Sequence, residues 1–218
     1  MAAPRPSVSK EVFLDAALKI ADEFGPDALT TRSLGNAVGL DATTVYRYFG
    51  SKDVLLGSLF DYVVGRVLER CEHAVGTPQE RIRSTIAAYL EVFIEHPNAA
   101  RLNSQMADML DAGHGKAPNS ARITTHVLSL LREMGLAGRS LMLGYQLIET
   151  FVVGAVLYES GARSRGMAVR VLRFTALGDE SLVGVPVDAD DVLAMSADVF
   201  WLGVDRLIGE LERMAEQS

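Results

Sequence analysis

A single cysteine, Cys71, is all the thiol this chain has, which excludes an intrachain disulfide framework and a cysteine-based zinc site. It reads as a small buried or half-buried thiol in a reducing cytoplasm. Surplus positive charge is missing as well: 21 Lys and Arg stand against 28 Asp and Glu, a formal −7. Sequence-independent coating of nucleic acid depends on excess cations and is therefore excluded, whereas a site-specific reader with a few well-placed cations is not. The N-terminal MAAPRPSVSK has no apolar core of the kind a secretory signal needs, so a cytoplasmic location is expected. Alternation of period two is scarce, and RVLRF at 170–174 is too short to build a sheet. There is no internal repeat and no low-complexity tract.

The motifs of common catalysts are lacking too. Histidines 73, 96, 114 and 126 never follow a Glu by three residues, so the Glu-x-x-His pair of di-iron bundles does not occur. ARSRG at 162–166 approaches G-x-S-x-G but lacks the first glycine and the preceding strand. No Walker or dinucleotide loop is present. The sequence thus points to no catalytic residue, no metal site and no cofactor, and the expectation is a protein that is not an enzyme.

What remains is a globular composition, 49% apolar over 218 residues, arranged in helical periods. The first helix is expected from Ser9 as cap, with Val12, Phe13, Ala16, Ala17, Ile20, Ala21 and Phe24 inward and Gly25-Pro26 as stop. A second is expected after Thr31 as cap, with Leu34, Ala37 and Val38 inward, ending at Gly39. The turn Gly39-Leu40-Asp41 separates it from a third, Ala42 to about Tyr48, capped by Asp41. Two short helices joined by a glycine-bearing turn are the signature of a helix-turn-helix. A fourth helix starts at Ser51 with Val54, Leu55, Leu59, Tyr62 and Val63 inward. Longer helices are expected at about 78–96, 98–112, 119–134, 139–161 and 189–215, with 162–188 partly helical at best. The expected fold is all-α: a helix-turn-helix DNA-binding domain over 1–56 and a helical ligand-binding and dimerisation domain over 57–218.

SLMLGYQLIETFVVGAVLYESG, 140–161, is long enough to span a bilayer, but Gln146 and Glu149 lie inside it, and a mid-membrane Glu is costly. A helix between protein layers, with no membrane, is the better reading. It carries two apolar stripes: Leu141, Tyr145, Ile148, Val152 and Ala155, and opposite them Leu143, Leu147, Phe151, Gly154 and Tyr158. The last helix does the same, with Val192, Met195, Val199 and Leu202 against Leu193, Phe200, Val204, Leu207 and Leu211. A helix without a wet face must be covered on both sides, and a second copy meeting 139–161 and 189–215 is the natural cover. Gly144, Gly154 and Gly203 would permit close helix approach.

DATTVYRYFGSKDVLL, residues 41–56, sets Tyr46, Tyr48 and Phe49 beside Arg47 and Lys52. A helix of about seven residues is ~10 Å long, enough to enter one major groove. Ala42 and Thr43 at its first turn would allow close backbone approach, and Arg47 could bond a guanine in bidentate fashion. Thr44, Tyr46 and Tyr48 offer hydroxyls to phosphates, and Lys52 opens the next helix where the dipole adds to its charge. Thr31 and Arg32 form a second such corner. Each residue also has an ordinary use: Phe49 as core, Thr31, Asp41 and Ser51 as caps, Arg47 as a solvated cation. The first 56 residues hold six Lys and Arg against seven Asp and Glu, so −6 of the −7 lies elsewhere. Arg5 and Lys10 flank a tail that reads either as a minor-groove arm or as a frayed terminus.

The conjunction LTTRSLGNAVGLDATTVYRYFGSKDVLL, residues 29–56, resembles the TetR family of bacterial regulators over about Ser9 to Val63. The resemblance implies Thr31, Arg32, Thr44, Tyr46, Tyr48 and Lys52 as phosphate or groove contacts, with Ala42, Thr43 and Arg47 on the groove side. It further implies a homodimer on double-stranded palindromic operator DNA, acting as a repressor and released by a small molecule. Gly35 departs from the family, which usually has a better helix former such as Ala there; tight packing against helix one is the expected reason. An alternative is a helix-turn-helix dimer with no small-molecule inducer. For the effector, Asn103, Gln105, Met106, Met109, His126, Tyr145, Gln146 and Glu149 are the candidate pocket residues. Methionines suit an adaptable apolar pocket, so the expected effector is apolar or amphiphilic. Glu149, if buried, needs a cationic ligand or a protein arginine; the alternative is an interface or surface glutamate paired with Arg139 or Arg163.

Overall fold

The computed structural model describes residues 9–102, 117–164 and 189–218, with the side chains at 159–164 and 189–196 outside that description. Every element among the described residues is helical. Helix α1, Lys10–Phe24, is capped by Ser9, whose Oγ accepts the Val12 N–H at 3.4 Å. Its buried face is Phe13, Leu14, Ala17, Leu18 and Ala21. Val12 and Phe24, expected inside, are exposed: the stripe centres on the 13/17/21 and 14/18 rows, and both residues fall beyond its edges. Gly25 ends the helix at φ 84°.

Helix α2, Thr31–Val38, is capped by Thr30 and not by Thr31. Thr30 Oγ1 accepts the Ser33 N–H at 3.0 Å while Ser33 Oγ accepts the Thr30 N–H at 2.9 Å. Of two adjacent threonines, only the first has its reciprocal partner three residues on. Helix α3, Ala42–Phe49, is capped by Asp41 and closed by Gly50. Helix α4, Lys52–Cys71, is capped by Ser51 and runs unbroken through residues 56 and 57.

A capping box of Thr77 and Glu80 starts α5, Pro78–Glu95. Helical backbone resumes over 97–102, and the remainder of the helix expected at 98–112 lies outside the described residues. Then come α6, Pro118–Glu133, α7, Gly138–Ser164, and α8, Ala189–Glu216. The segment expected to be partly helical is described only as far as 164, where α7 ends.

Two apolar cores meet along α5. The first joins α1 to α4 with Ala88, Val92 and Phe93 of α5, Ala99 and Leu102, and takes Val156 from α7. The second joins Ile82 and Ile86 of α5 to α6, α7 and α8. Polar pairs tie α1 to α4 and to the C-terminal end of α5. Tyr62 donates to Asp15 Oδ1 at 2.5 Å, Arg66 reaches the same oxygen at 3.3 Å, and His96 Nδ1 lies 2.8 Å from Asp22 Oδ2.

The two stripes of α7 separate only in part, because Phe151 of the second stripe stacks on Phe200 of α8 at 5.5 Å. Leu141, Ile148 and Val152 are buried, whereas Leu143, Leu147 and Tyr158 are 43%, 42% and 58% exposed. By length and composition Gly138–Tyr158 could cross a bilayer, yet one of its faces is committed to the second core. On α8, Phe200, Val204 and Leu211 are buried and Val199 and Leu202 exposed. Two glycines let α7 and α8 close up within the chain. A Cβ on Gly144 would meet Leu136 and Leu211 at 2.9 and 3.0 Å, and one on Gly203 would strike the Phe151 ring. Gly154 has nothing within 4 Å of that position.

Candidate nucleic-acid interface and effector cavity

Helix α3 divides cleanly into two faces. Val45 and Phe49 are buried, with the Phe49 ring edge-on to Phe13 at 6.0 Å. Ala42, Thr43, Tyr46 and Arg47 are exposed, Tyr46 to 60%; their i, i+1, i+4, i+5 spacing places them on one face. Tyr48 lies at the border, exposed, with its ring 4.8 Å from that of Phe13.

The turn that presents α3 depends on Gly35. A Cβ there would lie 2.6 Å from the Leu40 carbonyl oxygen and 3.3 Å from the Asp41 carbonyl carbon. This corrects the expectation that Gly35 packs against α1: it makes room for the α2–α3 turn, whose Leu40 N–H donates back to the Gly35 carbonyl at 2.8 Å. Gly39, at φ 70°, supplies the left-handed residue that ends α2.

Three of the expected contact residues also serve the fold. Thr44 is half-buried, with its backbone N–H and its hydroxyl donating to Asp41 at 2.8 and 3.0 Å. These bonds, the backbone one first, hold the Asp41 carboxyl below the usual carboxylate range, and Arg47 adds a smaller pull. Arg47 donates to Thr44 Oγ1 at 3.4 Å, and Lys52 Nζ donates to the Asp27 carbonyl at 3.3 Å. Lys52 thus ties the start of α4 to the turn before α2 while staying exposed. Arg32 is exposed and Thr31 half-buried, both in the first turn of α2.

A cavity of about 350 Å³ opens between α4, α5, α6 and α7. Phe60 and Val64 of α4, Ile82 and Ile86 of α5, Ile123 and Val127 of α6, and Ile148 and Val152 of α7 make its wall apolar. Its polar groups are Thr85, Ser120, Thr124, Tyr145 and Glu149, with Tyr89 beside them. The Tyr145 hydroxyl donates to Glu149 Oε1 at 3.3 Å and meets Thr124 Oγ1 at 3.1 Å. Burial, opposed by the Thr124 bond and helped by Glu149, pushes the Tyr145 phenol above its ordinary value.

Among the described residues, Tyr145 and Glu149 are the two expected pocket residues that line the cavity. His126 stands one step behind it, its Nε2 3.2 Å from Thr85 Oγ1. The Thr85 hydroxyl donates to the Arg81 carbonyl at 2.8 Å. Gln146 is exposed and not part of the wall. Asn103, Gln105, Met106 and Met109 lie outside the described residues. Glu149 is exposed, not buried, and its partner is Tyr145, not Arg139; the Arg163 side chain lies outside the description. Glu149 stands on the cavity side of α7 together with Tyr145, Ile148, Val152 and Val153.

Sequence reading missed Thr85, Ser120 and Thr124. Thr85 and Thr124 are hydroxyls beside Ile86 and Ile123, the same signal that marked Tyr145, whereas Ser120, between Asn119 and Ala121, carries no such signal. It also missed Asp61, 6% exposed on α4, which receives the start of α6.

Residues 13–59 match the family described as bacterial regulatory proteins, tetR family, and residues 72–172 match the tetracyclin repressor-like C-terminal domain. The HTH-type transcriptional repressor DrrR1 of Streptomyces coeruleorubidus is 24% identical over 235 residues, covering 98% of this chain and 81% of its own length. The class D tetracycline repressor protein of Escherichia coli is 25% identical over 153 residues, 69% of this chain and 66% of its own. Apo ActR from Streptomyces coelicolor superposes with a TM-score of 0.73 at 26% identity, covering 99% of both chains. ActR in complex with actinorhodin gives 0.72 at 24%, covering 98% of this chain and 99% of that one.

Proposed function

The chain belongs to the TetR family of DNA-binding transcriptional regulators, and from that premise we propose that it is a dimeric repressor released from a palindromic operator by a small molecule. The observation that carries the reading is the division of α3. Ala42, Thr43 and Arg47 face outward for the major groove while Val45 and Phe49 hold the helix to the core. Thr31, Arg32, Tyr46, Tyr48 and Lys52 flank that face as phosphate contacts, and Thr44 supports it as part of the Asp41 cap.

Residues 1–56 form the DNA-binding unit and 57–218 the ligand-binding and dimerisation unit, with α4 passing between them. The exposed apolar residues of α7 and α8, Leu143, Leu147, Val199 and Leu202, are the surface a second copy would cover. The cavity between α4 and α7 favours a ligand-released regulator over a dimer without an effector, and a cytoplasmic site of action follows from the DNA partner.

The test is duplex binding by the purified dimer at low salt, where electrostatics help most. A palindrome from beside the gene should compete at least about tenfold better than a scrambled duplex, as sequence-specific readers do. Equal binding to both duplexes would sink the reading.

A further inference from the structure

The cavity has an uneven chemistry that points to its occupant, and the point rests on reading it as the effector site. All four helices contribute apolar residues to its wall, which favours a ligand with a lipophilic body. Among the described lining residues one is charged, Glu149; no Lys, Arg or His lines the wall. Glu149 stays exposed at the rim and engages the Tyr145 hydroxyl through Oε1 alone, at a long 3.3 Å.

We propose that the cavity selects a lipophilic amine, seated with its apolar body against Phe60, Ile86 and Val127 and its ammonium group at Glu149 and Tyr145. A carboxylate at the mouth of a low-dielectric recess concentrates cations and repels anions. The rings of Phe60, Tyr89 and Tyr145 add π faces that favour a cation over an anion. An anionic ligand would lose hydration with no partner among these residues. His126, bonded to the wall residue Thr85, and Arg81 do not change this. Burial, and then the Arg81 charge, push the His126 imidazole below its ordinary value, so it is neutral near pH 7. Arg81 itself is paired with Glu133 at 2.7 Å.

Three ligands with one ring system separate charge from shape: 1-naphthylmethylamine, 1-naphthylmethanol and 1-naphthoic acid. They are titrated into the full-length protein, with naphthalene fluorescence and calorimetry as readouts. The amine should bind tightest, the alcohol next and the acid weakest, with roughly three- to tenfold between amine and alcohol. Glu149→Gln, a change at an exposed position, should close the amine–alcohol gap and leave the alcohol within about twofold of its original affinity. Thr124→Phe, which fills the cavity from its half-buried wall, should remove binding of all three.

Naphthoate binding as tightly as the amine overturns the proposal. So does an unchanged gap in Glu149→Gln, full binding in Thr124→Phe, or no binding of any of the three. Duplex binding by the same preparation is measured alongside. If it is intact, a failed ranking removes the amine assignment alone; if it is lost, the regulator reading itself has failed.

Discussion

Asp61 of α4 caps α6 from outside: its Oδ1 accepts the Ser120 N–H at 2.8 Å and the Ser120 hydroxyl at 3.0 Å. The residue before α6 is Ala117, which has no side-chain acceptor. The first turn of α6 therefore finds its acceptor 59 residues away in sequence, on a carboxylate that also meets the positive end of the α6 dipole. Asn119 adds a bond to the Asp61 carbonyl at 3.1 Å. Because α6 carries Ile123, Thr124 and Val127 of the cavity, and α4 begins at Lys52, this pair joins the wall of the cavity to the helix that reaches the DNA-binding end.

Asp61→Ala should accordingly destabilise the protein by about 1–3 kcal/mol, the cost of leaving a buried N–H without a partner. Ser9→Ala, at an exposed cap, should cost toward the low end of about 0.5–2 kcal/mol. Urea unfolding of both variants checks the order, and a smaller loss for Asp61→Ala would refute the capping role.

Gly35→Ala sets two effects against each other. Helix propensity favours Ala by about 1 kcal/mol. The new Cβ would stand 2.6 Å from the Leu40 carbonyl oxygen, a backbone atom that cannot turn aside. Overpacking costs about 1–3 kcal/mol, so the variant should be less stable than the parent by thermal and urea unfolding. A more stable variant would show that the turn yields.

Arg47 and Lys52 should fail in different ways. Arg47→Ala should relax preference at one base position of each half-site, costing roughly 1–3 kcal/mol on the preferred base. Lys52→Ala should weaken all duplexes alike and lower the salt slope by about one ion per subunit. Binding to single-base operator variants at several salt concentrations distinguishes the two patterns.

His126 makes stability depend on pH. Its folded-state pKa lies below the ordinary 6.5 because burial, and secondarily Arg81, disfavour the charged ring. The unfolded chain thus takes up the proton first as pH falls, and stability is lost from about pH 6.5 downward until the folded-state value is passed. His126→Gln should remove that part of the pH dependence. The comparison is the difference in urea midpoint between parent and variant at about pH 7.5 and pH 5.5; identical slopes would contradict it.

Leu147→Glu places a charge on the uncovered stripe of α7, where the parent residue is 42% exposed. Sedimentation should show a monomer with unchanged helicity, and operator affinity should fall with it, since two half-sites then need two independent encounters. A dimer that persists would move the interface elsewhere.

Much of this molecule was legible before folding. The caps at Ser9, Asp41 and Ser51 were readable because each bonds a backbone N–H three residues on. Helical period separates the buried Leu141, Ile148 and Val152 of α7 from the exposed Leu143 and Leu147, but not Phe151, which packs on Phe200. Thr30 and Thr31 both suit the cap by residue type, and only the reciprocal Ser33 bond decides for Thr30. Glu149 reads from sequence either as a buried carboxylate or as a surface one paired with an arginine; it is exposed, and Tyr145 is its partner, which period alone does not reveal.

The sequence by itself determined the helices, their ends and the helix-turn-helix, because those depend on interactions within about four residues along the chain. Tertiary structure alone decided which hydroxyls meet the cavity, that Asp61 caps α6, and that Gly35 clears the turn and not α1. Those outcomes depend on where separately formed helices come to rest against one another, and helical period does not encode that.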